Sequence, residues 1–189
     1  AIHPYDKTGY SRYRVYPRLG FDEFLDVSDF EDAELIRDRY ISDRDSYEKV
    51  IEEFEKIEET GKQAFIFNVT MQNHSGYDTE YFNEDAIRIL GHEGEFPNAE
   101  EYLTLICESD AAIPVLIDYF SQVEEPTVIA FFGDPQPMLE ESFYETLSGK
   151  PLSEWTLAEV QSRYIVPFFI WANYEIEAEN NVSTSANYL

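Results

Sequence analysis

Thr127-Val128-Ile129-Ala130-Phe131-Phe132-Gly133-Asp134-Pro135-Gln136-Pro137 is the stretch that decides the fold. Its apolar first half predicts a buried strand. Gly133 then frees the backbone, and Asp134 stands at the strand's C-terminal end, the place where open α/β sheets bind ligands and metals. A carboxylate there is a candidate hard oxygen ligand for a divalent cation, and an Asp that caps a turn is the competing reading. Pro135 and Pro137 fix the loop and stop the strand from continuing.

Working outward, residues 63–71 (QAFIFNVTM) form a nearly continuous apolar run, as parallel strands do. Residues 165–171 (IVPFFIW) predict a third strand, in which Pro167 marks an edge, a bulge or a strand start. Between these lie helical patterns. In residues 43–60, Tyr47, Val50, Ile51, Phe54 and Ile57 share one face, and Gly61 ends the run. Asn98 with Glu101 resembles a capping box and opens a helix to about Gln122, which Pro114 is expected to kink or split. Residues 139–147 and 157–164 predict short helices around a Gly149-Lys150-Pro151 turn, and residues 81–90 a short helix or irregular chain. At the front, residues 1–4 read as the end of a strand and residues 10–16 as the start of a short helix closed by Pro17 to Gly20. Phe21, Phe24 and Leu25 then make a short strand or turn. The alternation predicts a single α/β domain over residues 1–189: a doubly wound, mostly parallel sheet with helices on both faces.

The 189 residues suit one domain, and 43% hydrophobic with 16% aromatic content excludes a disordered chain. The 39 acidic against 13 basic residues give a net charge of −26, which argues against nucleic acid and anionic membrane surfaces as partners. Cys107 is the only cysteine, so neither an intrachain disulfide nor a paired-cysteine zinc site is available; its apolar helical setting suggests a small core residue. No apolar run approaches the length of a membrane span. Walker-type, GxGxxG, HExxH and GxSxG motifs are all missing.

In a parallel sheet, three polar clusters meet at one edge: the loop at residues 72–77 with His74, then Asp134, then Asn173 with Glu175. His3 and Arg12 join from the N-terminal segment. A cation on Asp134, with His74 and Arg12 facing a phosphate or sulfate, is a sensible constellation. Each residue also has a plain structural reading: a surface histidine, a salt-bridging arginine, an asparagine that caps the strand end, a solvent-facing glutamate.

Three segments carry a family resemblance, in order: Phe65-Ile66-Phe67-Asn68-Val69-Thr70-Met71-Gln72-Asn73-His74, residues 126–137 (PTVIAFFGDPQP), and Val166-Pro167-Phe168-Phe169-Ile170-Trp171-Ala172-Asn173-Tyr174. His3, the stretch from Tyr10 to Tyr16, and Leu19-Gly20-Phe21-Asp22 fit as well. Together they resemble the extracellular catalytic domain of lipoteichoic acid synthase-like phosphoglycerol transferases, in the sulfatase branch of the alkaline phosphatase superfamily. The resemblance implies an enzyme at the outer face of a bacterial cytoplasmic membrane. Such an enzyme uses Mn²⁺ or Mg²⁺ and a threonine nucleophile to move glycerol phosphate from phosphatidylglycerol to a cell-envelope polymer. It makes Asp134 a metal ligand, His74 the contact to the phosphoryl group and Arg12 the grip on the phosphate, with Tyr10 beside it. Pro135 departs from the pattern, because the family carries a second metal-binding residue, a histidine, at that place. The nucleophile and the remaining acidic ligand are expected ahead of His3, and family members continue past residues 183–189. The resemblance therefore presents this chain as a soluble piece cut at both ends, inactive by itself and prone to self-association through an exposed sheet edge. A sulfatase or phosphodiesterase of the same superfamily, and a non-catalytic oxyanion-binding relative, are the alternatives.

Overall fold

The computed structural model describes residues 1–77 and 86–185. The backbone groups into two compact units, Ala1–Ile117 and Asp118–Leu189.

The first unit is organised around Ile2, which is 2% exposed. Its N–H donates to the Phe67 carbonyl at 2.9 Å, and its own carbonyl accepts from Val69 N–H at 3.0 Å. On the other side, His3 N–H donates to Leu25 and Leu25 N–H to Ala1, both at 2.9 Å. Three extended segments thus run parallel at Ile2, bridged to Leu25 and Asn68. The expected strand over residues 63–71 is reduced to this one bridge. Pro4 has no N–H to offer a following rung.

Helix α1 (Arg12–Leu19) begins after two left-handed residues, Tyr10 (φ 52°) and Ser11 (φ 53°), and ends at Gly20, whose φ of 94° suits glycine. It buries Tyr16 against Phe21 and Phe24, with ring centroids 5.4 and 4.9 Å apart. Strands β1 (Leu35–Ile36) and β2 (Tyr40–Ile41) form an antiparallel hairpin that the sequence reading did not anticipate. Its turn is closed by Arg39 N–H on the Ile36 carbonyl at 3.2 Å, and Arg37 and Asp38 both have positive φ, the mark of a type I′ turn. Helix α2 (Asp43–Glu58) follows. The Ser42 hydroxyl accepts from Asp45 N–H at 3.0 Å, acidic residues fill the first turn, and Lys56 sits in the last. Tyr47 and Phe54 are its buried apolar residues, as the spacing predicts.

Helix α3 (Pro97–Phe120) starts one residue ahead of Asn98, because proline at the first helical position gives up an N–H that has no partner there anyway. Pro114 does not split it. Cys107, expected in the core, is exposed; it falls on the outer face of this amphipathic helix, whereas Leu105 is fully buried. Ahead of α3, residues 86–90 are not helical, and the rest of the helix considered at residues 81–90 lies outside the described residues.

In the second unit, β3 (Val128–Phe132) is followed by α4 (Glu141–Ser148), α5 (Leu157–Ser162) and β4 (Phe168–Ala172). β3 and β4 pair antiparallel, from Val128↔Ala172 to Phe132↔Phe168, which corrects the parallel arrangement expected for these two runs. The two short helices return the chain beside the end of β3 rather than its start, as the bond from Gly133 N–H to the Pro167 carbonyl records. Burial along β3 alternates instead of being complete: Val128 is 52% and Phe132 45% exposed. An apolar run with a single antiparallel neighbour presents alternate residues to opposite faces. Thr156 and Glu159 form a reciprocal capping box on α5. Among the described residues, no helix is long and apolar enough to cross a membrane.

Candidate oxyanion site and the Asp134 loop

His3 is completely buried. Its Nδ1 lies 2.8 Å from the Val69 carbonyl, which can only accept, so Nδ1 carries a proton. Nε2 meets no hydrogen-bond partner among the described residues. It accepts when the ring is neutral and donates when the ring is charged. Burial pushes the imidazole's pKa down; the Val69 bond opposes this, and the charge of Arg12, with that of a protonated His74, adds to the depression. Both of those side chains therefore lie within electrostatic reach of His3.

Arg12 sits at the start of α1, half-buried, with Nη1 3.3 Å from the Gly9 carbonyl and its guanidinium 4.9 Å from the Tyr10 ring centroid. A Cβ on Gly9 would stand 3.3 Å from that Nη1, so the bare backbone lets the guanidinium settle close. Tyr10 is 89% exposed, which leaves its outer face to solvent. His74 is exposed on the loop after Asn68, and its Nδ1 lies 3.4 Å from the Tyr40 hydroxyl. His3, Tyr10, Arg12 and His74 all belong to the first unit.

The loop that bears His74 is anchored from below. Gln72, 2% exposed, accepts from Asp43 N–H at 2.8 Å and donates to the Leu105 carbonyl and the Ser109 hydroxyl. Ser109 also receives Asn73 Nδ2 at 2.7 Å and donates to Asp43 Oδ2 at 2.6 Å. Burial raises the pKa of the Asp43 carboxyl, and the Ser109 hydroxyl is foremost among the bonds that resist the shift. The polar run at residues 72–77 hinted at this loop. Nothing local singled out Arg37, Tyr40 or Ser109, whose roles come from contacts distant in sequence.

Asp134 belongs to the second unit and is exposed just past β3. The backbone under it is fixed: Gln136 N–H donates to the Arg163 carbonyl at 3.2 Å, and a Cβ on Gly133 would meet Val166 Cβ at 3.2 Å. Among the described residues no three His, Cys, Asp or Glu side chains group as a metal site requires. A lone exposed carboxylate does not fit a tightly held Mn²⁺ or Mg²⁺, which demands several oxygen or nitrogen ligands. Asn173 is fully employed in holding the chain. Its Nδ2 faces the carbonyls of Phe120, Val123 and Glu125, and its Oδ1 accepts from Thr127 N–H at 2.8 Å. Glu175 faces solvent.

The sulfatase family matches the chain over residues 1–189, and the chain belongs to that family. Capsular polysaccharide biosynthesis protein RkpI of Rhizobium meliloti (strain 1021) is 31% identical over 140 residues, covering 74% of this chain and 24% of that protein. The phosphoglycerol transferase GacH of Streptococcus pyogenes, solved in complex with sn-glycerol-1-phosphate, superposes with a TM-score of 0.67 at 22% identity, over 95% of this chain and 44% of that one. Lipoteichoic acid synthase LtaP of Listeria monocytogenes superposes with a TM-score of 0.69 at 21% identity, over 89% and 41%. The fold is that of the lipoteichoic acid synthase-like branch of the sulfatases. The chain spans about a quarter of the curated relatives it matches.

Proposed function

We propose that this chain is the phosphate-recognising part of a phosphoglycerol transferase that moves glycerol phosphate from phosphatidylglycerol to a cell-envelope polymer at the outer face of a bacterial membrane. The observation that carries the reading is the grouping of Arg12 and His74 within electrostatic reach of a buried His3 whose Nε2 lacks a partner among the described residues. A guanidinium fork and the His74 imidazole offer donors to phosphoryl oxygens, and Tyr10 offers an aromatic wall over Arg12. Membrane contact falls to segments other than those described.

Members of the superfamily are typically metal-dependent. Asp134 is this chain's contribution to a metal site whose other ligands come from outside the described residues. Pro135, which carries no ligand atom, favours one second reading: a relative that binds the oxyanion without catalysis.

Calorimetric titration of the chain with sn-glycerol-1-phosphate, inorganic phosphate and sulfate tests the recognition site. Arg12→Ala and His74→Ala should each weaken glycerol phosphate binding by about 10- to 30-fold, the loss of one charge-assisted hydrogen bond. Equal affinity in wild type and both variants would remove the basis of the reading. Sulfate binding tighter than glycerol phosphate binding would favour a sulfatase.

A further inference from the structure

We infer that the β1–β2 hairpin is the positioning device for His74, with Arg37 clamping its loop and Tyr40 selecting the imidazole nitrogen offered to the ligand. The inference rests on the reading of His74 as a contact to an oxyanion.

Arg37 is buried. Its Nη2 donates to the carbonyls of Gln72 at 2.9 Å and His74 at 2.7 Å, and its Nη1 to Gly76 at 3.0 Å. Three carbonyls of a loop without regular structure are thus gathered on one rigid, planar fork. Among the described residues no carboxylate stands in ion-pair contact with Arg37. The faces of Tyr40 and Tyr77, with centroids 5.0 and 5.5 Å away, lie against it instead. The type I′ turn directs the side chain, since both of its central residues adopt positive φ without being glycine.

Tyr40 fixes the imidazole itself. It is 1% exposed, and its ring lies 5.0 Å from the guanidinium carbons of Arg37 and Arg39. Its hydroxyl stands 3.4 Å from His74 Nδ1. A phenol that donates to Nδ1 leaves the proton of the neutral ring on Nε2. That tautomer presents a donor to an anionic oxygen, whereas the other would present a lone pair.

The test uses the 189-residue chain with ¹⁵N-labelled histidine. Its three histidines are few enough for His74 to be assigned by comparison with His74→Ala. Long-range ¹H–¹⁵N spectra read the tautomer, and calorimetry with sn-glycerol-1-phosphate reads affinity. Tyr40→Phe keeps the buried ring and should shift the His74 nitrogens toward the Nδ1–H tautomer, with affinity falling about threefold or more. Arg37→Met should weaken binding about tenfold, and Arg37→Lys should restore part of that loss, because an ammonium still reaches one or two of the carbonyls. Unchanged His74 nitrogen shifts in Tyr40→Phe would overturn the tautomer role, and wild-type affinity in Arg37→Met would overturn the clamp. If Arg37→Met does not fold, Arg37→Lys decides: wild-type affinity there, where the planar fork is lost, overturns the clamp, and weakened binding supports it. If the wild-type chain binds no glycerol phosphate but Tyr40→Phe still shifts the His74 nitrogens, the proposed function fails while the positioning role stands.

Discussion

Protonating His3 costs more in the folded chain than in the unfolded one, because the ring is buried and lies within reach of the Arg12 charge. Its folded pKa is depressed, so its contribution to stability is complete above the unfolded value of about 6.5 and is lost as pH falls through the folded value. By NMR its imidazole should titrate below about 6.5 and be neutral at pH 7, and the melting temperature should fall as pH drops below about 6. A His3 that is still charged at pH 7 would contradict the burial described for it. At this scale the sequence was partly legible. His74, Arg12 and Tyr10 stand in motifs that point to an oxyanion, and His3 stands with them. Arg37 and Tyr40 are not legible in this way, because an arginine and a tyrosine in a short polar stretch give no local sign that a loop some 35 residues later will close over them.

Elements were read best where periodicity was long. Tyr47 and Phe54 place α2 and its inner face correctly, and the signal of Asn98 with Glu101 places α3, although the helix starts at Pro97 and Pro114 does not split it. The β1–β2 hairpin is hidden in the sequence because its turn is Arg37-Asp38 instead of the glycine-containing pair that usually announces a type I′ turn. The runs at β3 and β4 were recognised as strands, but their relative direction depends on how α4 and α5 return the chain, which no local pattern encodes. Asn173 is the tie of this pair. Asn173→Ala removes donors to Phe120, Val123 and Glu125 and an acceptor for Thr127, and should destabilise the second unit by about 2–3 kcal/mol. Hydrogen exchange should show the loss first at Thr127 N–H; unaltered protection there would show that the β3–β4 pairing holds without it.

Across the whole chain, a net charge of −26 attracts cations in general without creating a specific site for one. Calorimetry with Mn²⁺ should accordingly reveal weak, salt-sensitive association and no micromolar binding, and micromolar affinity would mean that another side chain fills the ligand role that Pro135 cannot. β3 and β4 pair only with each other among the described residues, while Val128, Phe132 and Ile170 remain about half exposed. Unpaired strand edges with apolar faces invite pairing between chains. Light scattering at physiological salt, where the charge is screened, should detect concentration-dependent association, and a monodisperse monomer throughout would count against it.

The turn at Arg37-Asp38 sets backbone ease against the hold of a side chain. Left-handed backbone is costly for residues with a Cβ and nearly free for glycine. A laboratory selection for heat resistance would therefore favour glycine at position 38 and reject it at 37, where relief of the backbone would leave three loop carbonyls without their guanidinium donor. Glycine at 37 would loosen the grip on the anion without making the protein sturdier, because one side chain serves both ends.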